Sequence, residues 1–149
     1  MLEVHERLGM HCHAEVAHSV VLSHEQRDRG RLKVATPEGE EVRIFLERGQ
    51  PLRVGEFLKT DCGQVLQVAG AVEAVAHASC DDWHAFARAC YHLGNRHSKI
   101  QVGDRWLRIK PDHVLEELLH LLGLVVTHEQ AIFNAESGAY AQGHSHSHD

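Results

Sequence analysis

Apolar residues fall on alternate positions through much of the first half of this chain, and the spacing changes to that of amphipathic helices in the second half. In RLKVATPEGEEVRIFL, residues 31 to 46, Leu32 and Val34 precede a Pro37-Glu38-Gly39-Glu40 break, and Val42, Ile44 and Leu46 follow it. Period-two alternation on both sides of a turn signal predicts a hairpin. Leu2 to Leu8 and Glu15 to Ser23 are further short apolar-rich runs. Glu56 to Lys59 and Val65 to Val68 form another pair around Thr60-Asp61-Cys62-Gly63. No helix-period segment is recognised in this stretch, so residues 1–71 read as a small β domain.

Beyond it, the region Val72 to Ala76 reads as a strand. Ser79 is taken as a helix N-cap, with Asp81 and Asp82 in the first turn, where negative charge suits the helix dipole. Trp83, Phe86, Ala87 and Cys90 recur at helical spacing, and Gly94 is read as the residue that ends the helix. Ile100 to Val102 and Trp106 to Ile109 are short strands around Gly103-Asp104. Pro111 and Asp112 open a second helix with a Leu115, Leu118, Leu119, Leu122 stripe, Gly123 closes it, and Leu124 to Thr127 is a last strand. The order β-α-β-β-α-β over residues 72–133 is the ferredoxin-like arrangement, which makes the whole chain α+β. Residues 134–149 lose periodicity and read as a mobile, His-containing tail.

Composition narrows the function. Aromatic residues are only 5% of the chain, so the core rests on Val, Leu, Ala and Ile. Lys and Arg are spread out and the formal net charge is -6, which argues against nucleic acid as partner. No secretory signal and no apolar run long enough for a bilayer stands out, so a cytoplasmic protein off the membrane is expected. The cysteines Cys12, Cys62, Cys80 and Cys90 lack CxxC spacing and read as free thiols. HExxH, GxSxG and P-loop signatures are absent, and no paired carboxylates are recognisable as an acid/base couple, so the chain does not read as an enzyme.

Histidine is the outlier, at 15 of 149 residues. Near neutral pH imidazole is largely unprotonated and able to coordinate metal. His144, His146 and His148 alternate with serine at the C-terminus, unlike the unbroken run of a purification tag. In a rigid strand alternate side chains stand roughly 7 Å apart, too far for one ion with bonds of about 2 Å. A flexible tail with Gly143 and serine spacers can fold around one. Such ligands suit nickel, copper and zinc, and intrinsic affinity favours copper over nickel. His97, in Gly94-Asn95-Arg96-His97, is placed at the surface by a turn in which Gly94 and Asn95 take left-handed geometry. By itself a loop histidine is a solvated residue, and His113, in the first turn of the second helix, reads alike. His11-Cys12-His13 is a denser local cluster with a soft ligand between two imidazoles. His92, His120 and His128 read as structural or surface residues.

CYHLGNRH (90–97), WLRIKPDHVLEELLHLLGL (106–124), EQAIFNAESGAYAQGHSHSHD (129–149) and RLKVATPEGEEVRIFLERGQPLRVGEFLKTDCGQVLQV (31–68) together resemble the UreE urease accessory family. The resemblance implies a β domain followed by a ferredoxin-like metal-binding domain. It implies a homodimer formed through the second domain, with His97 of each subunit meeting at the two-fold axis. Tail histidines would complete the shell. It also implies Ni(II) as cargo, with Zn(II) or Cu(II) able to use the same site. Delivery to the urease apoprotein would proceed with a GTPase accessory partner. Lys110 and Pro111 stand where some relatives carry further histidines, so of a secondary site there only His113 is left. The three-histidine tail favours transfer over storage. A zinc, copper or nickel buffer without a dedicated client is the alternative.

Overall fold

In the computed structural model, which describes residues 1–137, the alternating segments form strands. These are β1 (Leu2–Gly9), β2 (Val16–Leu22), β3 (Arg31–Ala35), β4 (Glu41–Phe45), β5 (Phe57–Thr60) and β6 (Val65–Gly70). They make one sheet in the order β2-β6-β5-β1-β4-β3. The β3–β4 hairpin closes where the sequence predicts, with Gly39 at φ 94° and Thr36 N–H donating to the Glu40 carbonyl at 2.8 Å. Along β4, Val42 and Ile44 are buried while Arg43 between them is exposed, the signature of a sheet with one covered face. Val4, Val20, Leu22, Leu58, Leu66 and Val68 complete that core. Burying each such side chain contributes about 1.5–3 kcal/mol. Two contacts are parallel, β1 with β4 and β2 with β6.

The chain divides into two units, Met1–Ala71 and Val72–Glu136. One helical turn, α1 (His24–Arg27), interrupts the β unit. Ser23 and Gln26 cap it reciprocally: the Ser23 hydroxyl accepts from Gln26 N–H, and Ser23 N–H donates to the Gln26 side chain. The sequence reading missed it.

The second unit carries β7 (Val72–Ser79), α2 (Trp83–Asn95), β8 (Gln101–Val102), β9 (Trp106–Ile109), α3 (His113–Leu121) and β10 (Val125–Ile132). Its sheet runs β10-β7-β9-β8 and every pair is antiparallel. Phe86, Ala89 and Leu93 of α2 and Leu119 of α3 pack on Ala76, Ala78, Leu107 and Ile109 of the sheet. Among the described residues no helix is long and apolar enough to cross a membrane.

Several boundaries differ from the sequence reading. Ser79 is not a cap: it is the last residue of β7, paired with Trp106 and Val125, and ladder hydrogen bonds on both sides carry the strand past Ala76. Asp82 caps α2 instead, accepting from Ala85 N–H at 3.2 Å. The buried face of α2 is Phe86, Ala89 and Leu93, whereas Ala87 is exposed and Trp83 is 57% exposed. Gly94 lies inside α2 and does not end it. β10 extends to Ile132 because β7 offers it a partner at each of eight positions. Asp112 and Gly123 bound α3 as expected, as N-cap and as left-handed closing residue.

Candidate metal centre

The end of α2 determines how His97 is presented. After the Arg96 cap the chain reverses through His97, whose own φ is 58°. His97 N–H donates to the Gly94 carbonyl at 3.0 Å, and Ser98 N–H reaches back to Leu93 at 3.2 Å. This pair of bonds is a Schellman motif, with His97 in the place where glycine is the usual occupant. Leu93, whose carbonyl receives the second bond, is fully buried, so the turn is anchored to the core of its unit. The left-handed residue is therefore His97 itself, not Gly94 or Asn95 as the sequence suggested. The His97 side chain is exposed and makes no hydrogen bond, ion pair or ring contact with the other described residues.

His113 is the first residue of α3, also exposed. Asp112, just before it, accepts from Leu115 N–H at 3.0 Å and fixes the start of the helix. Ser98 and Lys99, which follow His97, line one open depression together with Lys110, Pro111 and Asp112, which precede His113. The two histidine-bearing segments thus adjoin at one end of the second unit. No third ligand joins either imidazole to form a group of three among the described residues. His144, His146 and His148 lie outside the described residues.

His11, Cys12 and His13 do not converge, although they are adjacent in sequence. All four cysteines are free thiols. Burial, and then the nearby Cys80, push the Cys90 thiol above its ordinary value. His128 is held by Glu116 at 2.6 Å, and His77 stacks on Trp106. One group of three potential ligands does assemble among the described residues: Glu3, His5 and Asp61. No local sequence signal marks it, because Asp61 reaches the other two only through sheet pairing.

Comparison with known proteins agrees over both units. The model of the UreE urease accessory protein N-terminal domain matches residues 4–71, and that of the C-terminal domain matches residues 73–149. The urease accessory protein UreE of Marinomonas sp. (strain MWYL1) is 70% identical, covering 98% of this chain and 99% of the relative. That of Psychromonas ingrahamii (strain DSM 17664 / CCUG 51855 / 37) is 49% identical over 100% and 99%. That of Pseudomonas savastanoi pv. phaseolicola (strain 1448A / Race 6) is 45% identical over 99% and 88%.

Proposed function

The chain belongs to the UreE urease accessory protein family, and from that membership we propose that it is a cytoplasmic nickel carrier that binds Ni(II) between two copies of itself and hands it on for assembly of the urease active site. The strand order β10-β7-β9-β8, antiparallel throughout, supports the ferredoxin-like reading of residues 72–133; in this proposal that unit binds the metal and dimerises, 1–71 is a docking module and 134–149 the His-containing tail.

The observation that carries the proposal is the state of His97: exposed, without a partner, and held in a backbone conformation that glycine would adopt at lower cost. For an L-residue that conformation costs roughly 1–2 kcal/mol. A histidine kept there at that cost is explained by use of its imidazole. One chain supplies a single nitrogen at this point. Two-fold association supplies two, because symmetry sets the same residue of each subunit opposite itself. His144, His146 or His148 would close the shell, and His113 would offer a secondary ligand beside it.

Few neutral ligands at an exposed interface suit a carrier, which must hold its cargo and also release it. Opening of the tail would free coordination positions for the receiving urease complex and its GTPase accessory partner. Zn(II) and Cu(II) would compete for the same donors. The test is calorimetry with Ni²⁺ on the wild type, on His97→Ala and on a chain ending at Gly143. A His97→Ala protein that still binds one nickel per dimer with wild-type affinity refutes the assignment. Capture of the urease-maturation GTPase separates a dedicated carrier from a general metal buffer.

A further inference from the structure

We propose that the N-terminal unit carries a second, separate metal site, in which His5, Glu3 and Asp61 bind one divalent first-row transition cation with water completing the shell. His5 Nε2 stands 3.4 Å from Glu3 Oε1 and 3.7 Å from Asp61 Oδ2. All three ligand atoms lie within 4.8 Å of one another. Ligands bonded to one ion at about 2.1 Å sit roughly 3 Å apart when adjacent, so the two His5 distances already approach ligand spacing, and rotation of the exposed carboxylates closes the rest.

The fold builds this arrangement. β1 and β5 pair with a register shift between Val4 and Glu6, so one extra residue of β1 is accommodated at His5. A bulge of this kind re-aims a side chain out of the regular alternation. The imidazole then stacks on Phe45 of the neighbouring β4, with ring centres 5.1 Å apart and planes 13° from parallel. Asp61 N–H donates to the Glu3 carbonyl at 2.9 Å, which ties the β5–β6 turn to β1 beside the two ligands.

The charge balance points to a cation. Among the described residues, neither Glu3 nor Asp61 makes an ion pair with a lysine or arginine; each carboxylate turns to His5 alone. Arg43, directly across the ladder from Glu3, is turned to Glu41 at 2.8 Å instead. With a neutral imidazole the group carries two negative charges, which a dication neutralises. One imidazole and two carboxylates are borderline and hard donors that suit zinc, nickel, cobalt and manganese rather than copper(I). His5 is 49% and Asp61 60% exposed, so the ion exchanges freely with solvent.

The carrier reading enters only in the choice of nickel as the probe. Ni²⁺ is titrated into the isotope-labelled full-length protein, and NMR follows the His5 ring and the Asp61 and Glu3 amides. Paramagnetic broadening is expected at these positions. His5→Ala should abolish it at Asp61, and Asp61→Asn, an exposed isosteric change that leaves the Phe45 stack alone, should weaken binding about tenfold or more. Absence of broadening there at millimolar Ni²⁺ overturns the proposal. So does equal broadening at Asp61 in the His5→Ala protein, which means carboxylates attracting a cation without a built site. The deciding readout is the difference made by His5→Ala, and His5 is no part of the His97 site, so failure of either reading leaves the other standing.

Discussion

His97 and Gly123 hold the same position in two copies of one chain reversal. Each follows a helix of the second unit with positive φ, 58° and 99°. Each donates its N–H to a carbonyl three residues back, Gly94 and His120, while the next residue reaches back to Leu93 and Leu119. After α3 the turn is made by the residue that incurs no steric cost. After α2 it is made by a histidine, and the difference is a measurable strain.

That strain predicts a separation of stability from binding. His97→Gly and His97→Ala both remove the imidazole, but only glycine relieves the left-handed backbone. The metal-free His97→Gly protein should be more stable than His97→Ala by about 1 kcal/mol, a shift of roughly 2–4 °C in Tm. Both should lose interfacial nickel. Thermal and urea melts of the two variants check this, and equal stability means the backbone at residue 97 is unstrained.

Legibility of this fold followed the locality of its signals. The β3–β4 hairpin, the Asp112 cap and the Gly123 stop are written in a few adjacent residues, and the structure has them where the sequence puts them. The capping pair Ser23 and Gln26 was equally local and was overlooked. Ser79 misled because a good N-cap residue is also tolerated in a strand, and pairing with Trp106 and Val125 outweighs capping preference. Gly94 misled because glycine signals a helix end, yet here it tolerates a helical position while His97 makes the turn. Nothing local distinguishes a histidine in that role. The parallel β1–β4 and β2–β6 contacts, and the approach of Asp61 to Glu3 and His5, depend on pairing between distant segments, which alternation alone does not specify.

The Arg7–Glu56 pair should be a strong stabiliser of the N-terminal unit. Glu56 is only 2% exposed and receives two bonds from one guanidinium, Nε at 2.6 Å and a terminal nitrogen at 2.7 Å. The same arginine also donates to the Gln50 and Pro51 carbonyls. Arg7→Ala leaves a buried carboxylate uncompensated and is expected to cost about 3–5 kcal/mol. Arg7→Lys should recover only part, since an ammonium cannot reproduce the fork. Urea denaturation gives both values, and an Arg7→Ala loss below about 1 kcal/mol would rule out a paired, desolvated charge here.

Glu41 should titrate below the ordinary carboxylate range. The Arg43 hydrogen bond is the main cause, burial opposes it, and the charges of Arg43 and Lys33 add to it. A carboxyl depressed by folding contributes stability above its unfolded pKa and loses it as pH falls through the folded one. Arg43→Gln should move Glu41 back up toward the ordinary carboxylate value of 4.5. Carbon-detected NMR titration of the carboxyl checks the direction. The stability lost in Arg43→Gln should be small, because the group is solvent-facing, and should be present at neutral pH and vanish as pH falls below the carboxylate range.

Gly103 should tolerate no side chain, for a reason unrelated to φ. A Cβ built there would lie 1.9 Å from the Trp106 ring. That ring cannot simply swing away. His77 stacks on it with centres 5.4 Å apart, and the Arg108 guanidinium covers it at 4.8 Å. The turn is also tight, since Gly103 N–H donates to the Trp106 carbonyl at 2.8 Å. Gly103→Ala must therefore displace the indole or open the β8–β9 hairpin, at an expected cost of about 1–3 kcal/mol. Tryptophan fluorescence should shift toward that of a hydrated indole in step with the lost stability. Full stability in Gly103→Ala would mean that the ring relocates freely and that the stack on His77 contributes little to the hairpin.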